Sequence, residues 1–338
     1  MNIDIHAHLV PIELIEATRT ASLPTVDVTE HGENRYSFSI GGEATRVLPS
    51  PLLDREERLD WMDGAGIDLQ IVGTWADLFG YTLPVDEGVV WSRILNQTLL
   101  EACSGSDRLG SFASLPLQAP TLAAEMVHEV AADGFLGVTF ATQVAGIELD
   151  DPRLEVVWAA LSETKMIAFI HPGFAASDAR TADYGMTNAV GRPVDTTIAT
   201  ARLLGAAIPE RFPGAKIVLA HGGGAISLIL GRLRRNHQIN SAVGDPDAGL
   251  ARLHFDTVVF DPDALCYLVS KATLGSVFLG SDYPFPIGDP SPIDVVVAAN
   301  CLSESERTSI LGSGAAALLG IEGRGGEIRH ADNAQESV

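Results

Sequence analysis

Met166-Ile167-Ala168-Phe169-Ile170-His171 is a short apolar run that ends on a histidine and is followed at once by Pro172. Its length suits a strand buried on both faces, and its end sets an ionisable side chain where strand gives way to loop. Seven other runs repeat the pattern: Asn2–His8, Asp68–Gly73, Leu109–Leu115, Leu136–Phe140, Lys216–His221, Arg252–Phe255 and Ser276–Ser281. Helical stretches fall between them. Arg55–Gly64 carries Leu59 and Met62 at helical spacing and stops at Gly64 and Gly66. Asp86–Ala102, Pro120–Ala132, Pro152–Thr164 and Pro193–Ile208 follow the next four runs, three of them opening on a proline suited to the first helical turn. Eight strands with intervening helices in 338 residues predict an α/β chain closed as a (β/α)8 TIM barrel, one domain over about residues 1–322.

Two segments break the rhythm. Pro24–Val47 alternates Val26, Val28, then Tyr36, Phe38, Ile40 around Gly32–Asn34, which predicts a small β-hairpin inserted after strand 1. Asn236–Ala251 is polar and reads as a loop before the seventh strand. Gly323–Val338 is glycine-rich and then polar, the composition of a disordered tail.

The composition, 46% hydrophobic and 20% charged, is that of a globular protein with a large core. No apolar run approaches the roughly 18 residues that span a bilayer. The N-terminus has no basic leader, and Asp4, His6 and His8 interrupt any apolar segment, so no signal peptide is expected. Cys103, Cys266 and Cys301 are few, odd in number and far apart; they read as reduced, packed residues of a cytoplasmic protein. With 22 basic against 44 acidic residues the formal charge is −22. Such a surface repels nucleic acid and anionic lipid, so neither is an expected partner. A small anionic organic substrate would need local arginines.

His6-Ala7-His8 ends the first run, and alternation along a strand points both imidazoles the same way, about 6–7 Å apart. One histidine pair of this kind is a weak signal. Three more groups, however, hold the matching place on other strands: His171, His221 before Gly222-Gly223-Gly224, and Asp282 in Ser281-Asp282-Tyr283-Pro284. Barrel enzymes build their sites at the C-terminal ends of strands, where all five groups fall. The nitrogen and oxygen donor set suits a divalent ion, Zn²⁺ first and Mn²⁺ as the alternative. Two-metal barrels bridged by a carboxylated lysine need a lysine at a strand end. The only lysines are Lys165, Lys216 and Lys271, and the fourth strand ends Val138-Thr139-Phe140 without one, so a single metal is expected.

These residues resemble the amidohydrolase superfamily, and within it the decarboxylase-type branch that includes the 2-amino-3-carboxymuconate 6-semialdehyde decarboxylases and, more distantly, the γ-resorcylate decarboxylases. The similarity runs from Asp4-Ile5-His6-Ala7-His8 to Ala315–Leu319, through Arg46-Val47, Asp54–Asp63, Ser114-Leu115-Pro116-Leu117-Gln118-Ala119-Pro120, Asp195-Thr196-Thr197-Ile198-Ala199, Ala220–Ala225 and Gly280–Pro286. The resemblance implies metal ligation by His6, His8, His171 and Asp282. It makes His221 an acid/base on the metal-bound water, with Asp282 sharing the catalytic role. It gives Arg46 the substrate carboxylate and implies a homodimer. Phe79 and Arg192 complete the candidate substrate-binding set. Three positions depart from the family: Asn240 stands where a second substrate arginine is usual, Gly185 where an aromatic is, and Gly314 where an asparagine is. Arg192, Arg234 and Arg235 are candidates to replace the missing charge.

The function this implies is non-oxidative decarboxylation of an aromatic or unsaturated carboxylic acid, a metal-dependent carbon–carbon lyase. A hydrolase, hydratase or cyclase using the same activated water is the alternative. A barrel kept only for binding or assembly is a third reading, which retention of all five groups disfavours.

Overall fold

The computed structural model describes residues 1–32, 35–173 and 179–321. Among these, eight parallel strands run β1 (Ile3–His8), β2 (Leu69–Gly73), β3 (Leu109–Ser114), β4 (Gly137–Ala141), β5 (Ile167–His171), β6 (Lys216–Leu219), β7 (Leu253–Asp256) and β8 (Val277–Phe278), each paired with the next. The last strand meets the first: Ile5 N donates to Leu279 O at 2.9 Å and Asp282 N to His6 O at 2.8 Å. The sheet is therefore a (β/α)8 barrel, with helices filling every crossover as parallel pairing requires.

Residues along the strands alternate between two destinations. Ile3, Ile71, Phe112, Phe169 and Val218 fill the barrel, while Ala7, Val72, Val138, Ala168 and Leu219 pack outward with helix residues such as Met126, Leu161 and Leu203. Alternation breaks at one place. The β1–β2 register shifts between Asp4 and Ala7. Ile5 and His6, adjacent in sequence, then both serve the barrel interior: Ile5 joins its apolar fill, and the His6 ring lies 4.9 Å from Phe169. Asp4 turns outward instead, and its carboxylate accepts from Gln70 Nε2 at 2.8 Å. An irregularity of this kind re-aims side chains, and here it lifts His6 into the mouth.

The insertion is an antiparallel pair, Val26–Glu30 with Tyr36–Ile40, extended by the two-residue strand Glu43–Ala44 and preceded by a helix at Glu13–Ala21. Its apolar face, Val26, Phe38 and Ile40, packs with Trp75 and Trp91, which brings Arg46 to the barrel mouth. The predicted turn residues Glu33 and Asn34 and the tail Gly323–Val338 lie outside the described residues.

Two expectations are corrected. Asn236–Ala251 is about half helical: the helix Ile226–Ile239 runs into its first residues, and Pro246–Leu250 forms another. The signal was present in Asp245-Pro246, where Asp245 caps the short helix by accepting from Asp247 N at 3.0 Å. The cysteines are not all reduced. Cys266 and Cys301 form a disulfide with a Cα–Cα distance of 5.9 Å across a separation of 35 residues. Spacing in sequence does not reveal that the helix Pro262–Lys271 and the turn after Pro292–Ala298 lie side by side on the barrel wall. The pairing withdraws the cysteine support for a reducing compartment. Cys103 stays free and buried, its thiol pushed up to about 12 by burial. Among the described residues no helix is long and apolar enough to cross a membrane.

Candidate metal centre

The fold brings all five predicted groups together. His6 and His8 leave the end of β1, and His171 is the last residue of β5. His221 opens the turn after β6, and Asp282 sits beyond β8. The carboxylate of Asp282 is the hub. Its Oδ1 lies 3.1 Å from His8 Nε2, 3.3 Å from His6 Nε2 and 3.9 Å from His171 Nε2. Its Oδ2 faces the remaining imidazole, 3.5 Å from His221 Nε2. The side chains of His6, His171 and Asp282 are at most 2% exposed, whereas His221 is 12% exposed, so His221 is the member that opens on the mouth.

Orientation comes from outside the cluster. His6 Nδ1 lies 2.6 Å from Asp256 Oδ2 and His8 Nδ1 lies 3.3 Å from the Thr74 carbonyl. With Nδ1–H donating to those oxygens, each Nε2 presents a lone pair inward, the tautomer a metal requires. Asp256 also accepts from His221 N at 2.9 Å, Gly222 N at 2.7 Å and Val258 N at 3.1 Å, so one carboxylate fixes both a ring and the turn carrying another. The apolar run Arg252–Phe255 stops one residue short of Asp256, which takes the strand-end place that the other four site strands also fill with an ionisable group.

Several atoms in this buried cluster lack a hydrogen-bond partner: His6 Nε2, both ring nitrogens of His171, and His221 Nδ1. Buried polar atoms are normally satisfied, and two of these, His6 Nε2 and His171 Nε2, face Asp282 Oδ1, an arrangement that fits a cation. Electrostatics agree. Burial opposes charge on His6, yet Asp282 and Asp256 outweigh it and push the imidazole up to about 10. Burial and the neighbouring histidines hold His171 well below its usual value. Asp282 stays well below the usual carboxylate range because His6, His221 and His8 outweigh its burial. Ligand atoms of His6, His171, His221 and Asp282 lie within 4.8 Å of one another, and His8 reaches the same Asp282 oxygen as His6.

His221 and Asp282 both hold left-handed backbone, at φ 55° and 59°. Such strain in non-glycine residues gathers at functional sites. The glycines after His221 answer to packing rather than to a ligand: a Cβ on Gly223 would stand 2.8 Å from the Phe255 ring, and one on Gly224 2.2 Å from Pro193 O.

A cavity of about 620 Å³ opens on the same face, lined by Arg46, Asp77, Phe79, Tyr81, Ala141 and Gly173 among others. The Phe79 and Tyr81 rings stack at 5.5 Å and offer a flat wall. Arg192, buried at the start of the helix Arg192–Gly205, is near enough to feel the charges of Asp282 and Asp77. Arg234 is held by Asp247 at 2.7 Å, and Arg235 reaches Gln238 at 3.3 Å. Of the three arginines considered as replacements, Arg192 is the one placed toward the site.

A protein-family model described as Amidohydrolase matches residues 3–321. The chain belongs to that family. Its curated relatives bear out the decarboxylase-type branch. The 2-amino-3-carboxymuconate-6-semialdehyde decarboxylase of Dictyostelium discoideum is 25% identical over 333 residues, 95% of this chain and 92% of the relative. The γ-resorcylate decarboxylase of Rhodococcus jostii is 29% identical over 204 residues, 55% of this chain and 61% of the relative. Among solved structures, 5-carboxyvanillate decarboxylase of Novosphingobium aromaticivorans superposes with a TM-score of 0.76 at 20% identity, covering 95% of this chain and 96% of that one. That protein's structure holds manganese and 4-hydroxy-3-methoxy-5-nitrobenzoic acid.

Proposed function

We propose that this amidohydrolase is a metal-dependent, non-oxidative decarboxylase of an aromatic or unsaturated carboxylic acid. The observation that carries the reading is the convergence of buried, unpartnered imidazole nitrogens on the Asp282 carboxylate, beside a cavity that holds an arginine and a stacked aromatic wall. His6, His8, His171 and Asp282 would hold one divalent ion, Zn²⁺ or alternatively Mn²⁺. His221 is left as the acid/base because its side chain alone opens appreciably to the mouth. The ion, when bound, supplies Lewis-acid polarisation of an oxygen and makes a water acidic near neutral pH.

The chain's own residues do the rest. Arg46 takes a substrate carboxylate by a charge-assisted bond. Phe79 and Tyr81 lie against the planar portion of the substrate, and Arg192 adds positive potential from beneath. When the bond to the carboxylate carbon breaks, CO2 departs and its electron pair stays on the substrate carbon, which must then take a proton. His221 and Asp282, whose facing atoms are 3.5 Å apart, can hold that proton between them and deliver it.

The test is a screen of hydroxybenzoates, aminobenzoates and carboxylated muconates with metal-loaded enzyme, following CO2 by trapping and products by mass. Loss of CO2 from one class supports the reading. A mass change of one water with no CO2 would instead make the enzyme a hydrolase, hydratase or cyclase.

A further inference from the structure

Asp77 is a buried carboxylate that the reaction above does not use. It sits in the short turn Ala76–Leu78 that follows β2 and Trp75. That turn is fixed on both sides: Trp75 is 2% and Leu78 0% exposed, and Trp91 Nε1 donates to Leu78 O at 2.7 Å. The Asp77 side chain is 9% exposed, and its Oδ1 is buried without a hydrogen-bond partner. Its Oδ2 lies 3.8 Å from Arg46 Nη2, an ion pair too long for a direct hydrogen bond. The carboxylate lines the same cavity as Arg46 and the Phe79–Tyr81 wall.

An acid in this position is costly. It lies where an anionic substrate must arrive, and burial pushes its carboxyl up to about 7 against the pull of Arg46 and Arg192. A carboxylate that lines a cavity and keeps one oxygen without a partner is matched by a ligand that brings a donor. The guanidinium of Arg46, stacked 5.3 Å from the Trp75 ring, fixes where the substrate carboxylate goes, so the donor belongs close beside that carboxylate.

We infer that Asp77 is a specificity-determining residue that accepts a hydrogen bond from a hydroxyl or amino group near the substrate's carboxylate, so that the site takes hydroxy- or amino-substituted aryl carboxylates. This rests on the proposed reading of the cavity as the substrate site, but not on which reaction follows. A site built around such an acceptor rejects analogues that lack the donor, because its polar group is then buried unpaired.

Equilibrium binding separates this inference from the question of decarboxylation. Titration calorimetry on metal-loaded protein would compare salicylate with 2-methoxybenzoate, 3-hydroxybenzoate with 3-methoxybenzoate, and anthranilate with N,N-dimethylanthranilate. The 3-substituted pair removes any chelating advantage of an ortho oxygen. The wild type is expected to prefer each donor-bearing member by about ten- to a hundredfold. Asp77→Ala should bring the preference below about threefold. The isosteric Asp77→Asn should leave a small residual preference, since its amide oxygen still accepts. Arg46→Ala should weaken every carboxylate and leave the preference in place. Three results would overturn the inference: no preference or no binding by the wild type, an unchanged preference in Asp77→Ala, or a uniform loss in that variant. The uniform loss would show that Asp77 only positions Arg46. Elemental analysis of each variant confirms that metal content is equal.

Discussion

Two buried polar clusters grow from the same strand and differ in one respect. Asp4 heads the outward cluster, and His6 and His8 head the inward one. In the first, Asp4 accepts from Ser281 Oγ at 2.5 Å, Ser281 N at 3.0 Å, His6 N at 3.0 Å and Gln70 Nε2 at 2.8 Å. Arg58 donates to Gln70 Oε1 at 2.6 Å and to the His8 carbonyl, with its guanidinium over the Tyr283 ring at 4.9 Å. Apart from Arg58 Nε, that network closes on itself. The second cluster, with comparable burial, leaves His6 Nε2 and His171 Nε2 unpartnered beside the same Asp282 oxygen. Satisfied burial holds a structure; unsatisfied burial marks the place of a ligand. The closed network also touches the backbone of His6, His8 and Ser281, so it sets the spacing of the open one.

Removing a ligand side chain should have the largest effect. His6→Ala or Asp282→Ala is expected to abolish both metal content and turnover, because each takes one of only four proposed donors. Two metal equivalents per wild-type chain on elemental analysis would break the single-ion assignment. His221→Ala should keep the metal and lose about 10²–10⁴-fold in kcat. If that variant is purified without metal, His221 is a ligand and His8 takes the secondary place, which the distances within the cluster also permit.

The closed network should answer in stability rather than in chemistry. Arg58→Ala leaves Gln70 Oε1 and the His8 carbonyl buried without their charged donor and is expected to cost about 1–3 kcal/mol for each acceptor. Urea unfolding of the metal-free protein measures it. An unchanged midpoint together with lost metal would erase the distinction between the clusters.

The smallest effect is a proton. In the metal-free protein His6 is raised above its ordinary value of 6.5 to about 10, because Asp282 and Asp256 outweigh its burial. It therefore carries a proton below about pH 10, and a metal taking its Nε2 must displace that proton. Affinity should rise about tenfold per pH unit over roughly pH 6–9, with about one proton released. Calorimetry in buffers of different ionisation enthalpy counts the proton, and uptake independent of pH would show His6 to be neutral beforehand.

The strand-end rhythm of the sequence pointed to the barrel, since eight short runs with helical spacers over this length favour the closed barrel over an open doubly wound sheet. It also named His6, His8, His171, His221 and Asp282, because five ionisable groups at four matching run ends point to a site where any one alone would be a weak signal. Tertiary structure decided what depends on proximity between distant segments. The register shift between Asp4 and Ala7 set which of the first strand's polar residues face inward. Asp256 became the partner of His6 across 250 residues, and Asp77 met Arg46 only because the inserted strands pack against the segment that follows β2. Cys266 and Cys301 paired because the helix Pro262–Lys271 and the turn after Pro292–Ala298 lie side by side on the same wall. None of these leaves a local trace, because hydrogen bonds, ion pairs and disulfides depend on distances in space, and pattern along a chain reports only which face a residue occupies.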